Sequence, residues 1–128
     1  MSGEAINRAE RLVAEGKVWD AIQLLQVAIP RMYGRKQKEK ARVLLAKAYI
    51  KNPNWVKRGE EMLQSVLRDD PQNAEAFYAL GMLYKESGMN SRAVTMFRRA
   101  LELNPQHRGA QAELSSLSSP LRKLFGRG

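Results

Sequence analysis

The chain has 128 residues, 44% of them hydrophobic, with a formal net charge of +9, no cysteine and a single histidine. That length suits one domain with a continuous core, while the composition excludes disulfides and thiolate metal sites and leaves no metal-ligand cluster of the usual kinds. No run reaches the ~18 apolar residues of a membrane span, and Glu4, Arg8, Glu10 and Arg11 occupy the place of a secretory signal's apolar core. A soluble, cytoplasmic protein is the resulting expectation.

Apolar residues recur at helical spacing, turn signals interrupt them, and no alternating β pattern of useful length is present. The first helix is expected over Gly3–Glu15, stopping at Gly16, whose freedom at positive φ suits a helix end. A second runs from Trp19 or Asp20 through Ile29, where Pro30 must kink or end it for want of an amide donor. Met32–Lys38 is a basic connector with Gly34 at its turn, or an extra turn of the next helix. A third helix covers Lys38–Lys51 and breaks at Asn52-Pro53-Asn54. The fourth, Val56–Arg68, ends in Asp69-Asp70-Pro71. Asn73–Ser87 and Asn90–Asn104 form the next pair around Gly88, and a last helix occupies residues 106–117. Residues 118–128 read as a flexible basic tail, with a joint at Ser118-Ser119-Pro120.

Small residues at Gly81, Ala93 and Ala100 alternate with bulky Phe77, Leu80, Tyr84 and Phe97, and Pro105 closes the unit. The same frame recurs upstream as Leu45, Ala46, Tyr49, Gly59, Leu63 and Val66. It recurs again, more worn, as Ala9, Leu12, Gly16, Ala21, Leu25 and Ala28, with Ala5 and Arg8 at the bulky positions. Ala110, Leu114 and Leu117 open a further half unit. This layout resembles the tetratricopeptide repeat, in three copies at about 2–38, 39–73 and 74–107 plus a capping helix at 106–117. The resemblance implies an all-α fold, a right-handed α-solenoid of three helix-turn-helix repeats with a seventh capping helix. In such a stack each unit covers the apolar face its neighbour cannot bury.

The resemblance also implies a function. In the family, the first helices of successive repeats line a groove that holds a peptide or a partner's helix. The corresponding positions here are Ile6, Glu10, Lys40, Val43, Lys47, Tyr78, Met82 and Lys85. They read as an apolar strip flanked by lysines, suited to an acidic segment with apolar anchors. Family modules that clamp the acidic C-termini of heat-shock chaperones use Lys, Asn and Arg where this chain has Ile6, Glu10, Leu44, Glu75 and Ala79, which argues against that clamp.

Charge is local. Between Arg31 and Lys51 eight cations stand against the one acid Glu39. Arg31, Arg35, Lys36, Lys38 and Arg42 form the expected basic patch, whose field would speed encounter with acidic partners. Three other readings follow. The same block could contact nucleic acid phosphates, with Tyr33 or Tyr49 stacking on bases. The molecule could self-assemble. Leu121, Leu124 and Phe125 among Arg122, Lys123 and Arg127 could touch an anionic membrane. Catalysis finds no positioned base or nucleophile: His107 reads as a surface turn, Asp69-Asp70 as a turn cap, and Gly126-Arg127-Gly128 lacks the frame of a phosphate loop. Neither enzyme activity nor a cofactor is expected. Trp19 and Trp55 read as packing at helix-pair corners, and an exposed pair would mark a second contact surface.

Overall fold

A computed structural model describes residues 2–117. The expected joint and tail at residues 118–128 lie outside that range. Among the described residues there are seven α-helices: α1 (Ser2–Ala14), α2 (Val18–Ala28), α3 (Arg35–Ile50), α4 (Val56–Asp69), α5 (Ala74–Glu86), α6 (Asn90–Leu103) and α7 (Arg108–Leu117). Short 3₁₀ turns at Ile29–Arg31 and Pro53–Trp55 follow α2 and precede α4. The chain divides into two compact units, Met1–Pro71 and Gln72–Gly128.

In the first unit α1 pairs with α2 and α3 with α4, and α3 also packs on α1 and α2. Its core joins Ile6 and Ala9 of α1, Ala21, Ile22 and Leu25 of α2, Met32 of the connector, and Ala41, Leu45, Ala48 and Tyr49 of α3. Tyr49 is almost wholly buried, and its hydroxyl stays satisfied by accepting from Gln26 Nε2 at 2.8 Å, as a buried phenol requires. The α3–α4 crossing depends on Gly59: a Cβ there would lie 2.9 Å from Ile50 Cγ1 and 3.1 Å from the Ala46 carbonyl oxygen. Pro30 ends α2 in a 3₁₀ turn rather than kinking it. Of the two readings of the basic connector, the structure takes the extra turn: residues from Arg35 onward belong to α3.

In the second unit α5 pairs with α6, and α7 packs on α6. Gly81 is again where two helices meet, since a Cβ would fall 2.5 Å from the fully buried Phe97 ring. The hairpin turns of the two units are built alike. Gly16 and Gly88 sit at φ +82° and +79°. The following amides, of Lys17 and Met89, reach back to the carbonyls of Leu12 and Tyr84 at 2.8 Å each. That is the 6→1 bond of a helix closed by a left-handed residue, the conformation glycine adopts without steric cost.

Candidate partner-binding faces

The groove positions of the first unit divide into buried and accessible ones. Ile6 is 1% exposed and Val43 4%. As apolar anchors open to a partner these two are corrected: Ile6 belongs to the core it shares with Ile22 and Leu25, and Val43 is packed inside. Glu10 and Lys40 are exposed, and Lys47 is half-buried. This face therefore carries charge at its surface, while its apolar residues hold helices together.

The expected basic patch is likewise rearranged by the fold. Arg35 donates through Nε to the buried carboxylate of Glu39 at 3.2 Å, and through Nη2 to the Asp69 carbonyl at the last turn of α4. Arg42 donates to Asp69 Oδ2 at 3.0 Å and to the Ser65 hydroxyl. Lys36 lies 3.9 Å from Asp70. Arg35, Lys38, Glu39, Arg42 and Asp69 line a cleft of about 450 Å³. Three carboxylates thus answer three of the cations, and the guanidinium on the Asp69 carbonyl offsets the negative end of the α4 dipole. The block is less a free positive field than a clasp between the start of α3 and the end of α4. Arg31 remains exposed at the end of its 3₁₀ turn.

In the second unit the expected groove face of α5 is taken up by α7. The Tyr78 ring is half-buried, 5.7 Å from Phe97 and 4.5 Å from His107 by ring centroid. Gly109 lies so close that a Cβ would be 2.9 Å from the phenol ring and hydroxyl. Burial raises the Tyr78 pKa, and the carboxylates of Glu113 and Glu75 raise it further against the opposing charge of Lys85. Lys85 donates to Glu113 Oε1 at 2.8 Å, and that bond holds the ammonium above its ordinary pKa. Met82 is half-buried. The reason for the correction is geometric: the last helix needs something to pack on, and Tyr78 and Lys85 supply it.

His107 is no solvated turn. Its side chain is only 10% exposed. Nδ1 accepts from the Ala110 amide at 3.1 Å, and Nε2 meets the Glu75 carboxylate. An accepting Nδ1 places the ring proton on Nε2, where it faces Glu75. His107 is thus the N-cap of α7, as Asn73 is of α5 through its bond from the Ala76 amide at 2.9 Å. Trp19 is 54% exposed, and its ring centroid lies 5.2 Å from that of Trp55. Among the described residues no group of three or more His, Cys, Asp or Glu side chains could hold a metal ion. No helix among them is long and apolar enough to cross a membrane.

Comparison with known proteins fits this geometry. Residues 74–107 match the family model described as tetratricopeptide repeat. A curated relative, the DnaJ homolog subfamily C member 7 homolog of Schizosaccharomyces pombe, is 36% identical over 81 residues, which are 63% of this chain and 16% of that protein. The chain therefore spans under a fifth of that relative's length. Among solved structures, the first tetratricopeptide domain of human RPAP3 superposes with a TM-score of 0.77 at 17% identity, covering 100% of this chain and 98% of that one. The first tetratricopeptide domain of Spaghetti (RPAP3), bound to the HSP90 peptide SRMEEVD, gives 0.72 at 18% identity, covering 94% and 92%. Residues 74–107 thus carry a tetratricopeptide repeat, and the chain shares the all-α fold of these domains.

Proposed function

We propose that the chain is a non-catalytic protein–protein interaction module that holds a peptide or helical segment of an acidic partner. The reading is supported by the fold, whose relatives include a domain bound to a peptide. The observation that carries it is the exposed Lys40 on α3, accompanied by Lys47 on the same helix, at positions that line the groove in the family. The carboxylates of Glu39 and Asp69 are held on the Arg35–Arg42 side. An acidic segment reaching Lys40 would gain steering and register from that charge more than raw affinity.

The chaperone-tail peptide of the neighbour is not the ligand proposed here. Glu10 and Glu75 stand where a carboxylate clamp needs cations or amides, and Ala79 is buried. A nucleic-acid role is less favoured than the charge count alone suggested, since Glu39, Asp69 and Asp70 answer much of the basic block.

The test is affinity capture on the immobilised chain with mass-spectrometric identification, comparing the intact protein with Lys40→Glu/Lys47→Glu. We expect the captured proteins to be acidic and to disappear with the double variant while far-ultraviolet circular dichroism is unchanged. Capture of the same proteins in equal amount by both would place the site elsewhere. Generic RNA or DNA binding that collapses with salt would favour the nucleic-acid reading, and concentration-dependent mass by light scattering would favour self-assembly.

A further inference from the structure

Two tryptophans from successive hairpins of the first unit meet at the ends where their helices turn. Trp19 is the second residue of α2, and Trp55 closes the 3₁₀ turn before α4. Their rings are tilted by 42° at 5.2 Å between centroids. Trp55 stands edge-on to the buried Tyr49 ring at 86° and 5.9 Å, so it is keyed to the core. Trp19 rests on it and leaves 54% of its surface in water, whereas the adjacent Val18 is half-buried. Packing alone does not call for a tryptophan at such a site. The Arg58 guanidinium lies over the Trp55 ring, 5.8 Å from its centroid. The chain segments bearing the pair add Lys17, Lys51 and Lys57, against Asp20 and a Glu15 that already pairs with Lys17 at 3.6 Å.

We infer that the Trp19–Trp55 shelf, with Arg58, is a second docking site, for an acidic segment of a partner protein that lays a proline or aromatic side chain on the exposed indole. Charge complementarity selects the acidic segment: Lys51, Lys57 and Arg58 leave the shelf with net positive surroundings. The rings select the anchor, because a flat apolar face on a rigid support is what dominates binding energy at protein interfaces. Extended proline-containing segments use such aromatic faces at little conformational cost. The two indoles touch, so no base can intercalate between them, which disfavours a single-stranded nucleic acid. This surface is separate from the Lys40 face. It lies at the C-terminal end of α3, by Lys51, whereas Lys40 stands near the start of that helix, roughly 16 Å away at 1.5 Å per residue.

Trp19 and Trp55 are the only two tryptophans of the chain, so intrinsic fluorescence reports on the shelf alone. The experiment uses the full chain and synthetic 12-residue peptides of glutamate with proline or phenylalanine at every third position, with glycine at the anchors or lysine for glutamate as controls. A 12-residue oligothymidylate supplies the nucleic-acid arm. We expect a saturable emission change with the proline or phenylalanine peptides and none with the controls. By peptide anisotropy, Trp19→Ala and Arg58→Glu should each weaken binding about tenfold or more, with helicity unchanged. Lys40→Glu should leave it intact, which separates this site from the one proposed above. No response to any acidic peptide, equal response to the controls, tighter binding of oligothymidylate, or affinity unchanged by Trp19→Ala would overturn the inference.

Discussion

Helices α3 and α5 open successive hairpins, yet the same register positions meet different fates. Lys40 and Glu75 are equivalent in the repeat: Lys40 faces water, while Glu75 meets the imidazole of His107. Val43 is packed inside, whereas its counterpart Tyr78 supports α7 through Gly109. The repeat frame sets which way a side chain points, but the next element decides whether that direction is surface or interior. In the second unit that element is the chain's own α7, so its first helix does structural work where α3 keeps an exposed charge.

The largest way to strain this contrast is at the two helix crossings. Gly81→Ala should destabilise the second unit by about 2–3 kcal/mol, because its Cβ meets the Phe97 ring head-on in a filled core. Gly59→Ala should cost less, since part of the obstruction is the Ile50 side chain, which can rotate aside. Thermal melts of the two variants compare them directly. Next, Tyr78→Ala should cost about 2 kcal/mol through lost packing against Phe97, His107 and Gly109. Lys40→Ala should leave the melting temperature unchanged.

Smaller effects sharpen the comparison. His107→Ala should cost about 1 kcal/mol by removing the cap on α7, and His107→Asn should restore most of it, since Asn73 caps α5 in the same way. Hydrogen exchange at the Ala110 amide would show the loss at its source. The least effect concerns pH. Tyr78 and Lys85 both bind their protons more tightly in the folded chain than at the ordinary values of 10.0 and 10.5. Their contribution is complete below those values and lost as pH rises through the higher folded ones. Alkaline melts should therefore weaken the second unit, and Glu113→Gln should flatten part of that loss.

Much of the fold was legible in the sequence because steric demand leaves a compositional mark. Gly59, Gly81, Ala93 and Ala100 lie where helices touch, and Gly16 and Gly88 lie where the chain must turn through positive φ. The candidate site was less legible. Register gave the direction of Ile6 and Val43, but nothing local says that a neighbouring helix covers them. The Arg35–Asp69 and Arg42–Asp69 contacts join residues 34 and 27 positions apart, and a charge count along the chain treats them as independent. His107 did carry a signal: it falls one repeat after Asn73, a cap position, and imidazole is an uncommon residue there. Gly109 carried another, as a small residue opposite a large ring.

Lysine footprinting by mass spectrometry tests the contrast between α3 and α5 most directly. Lys40 should acylate fast in the native chain, and Lys85 slowly, because it is bonded to Glu113 and holds its proton above the ordinary lysine pKa. Glu113→Gln should speed Lys85 alone. Equal native rates at Lys40 and Lys85, or a Lys85 rate indifferent to Glu113, would contradict the assignment of the α5 face to α7.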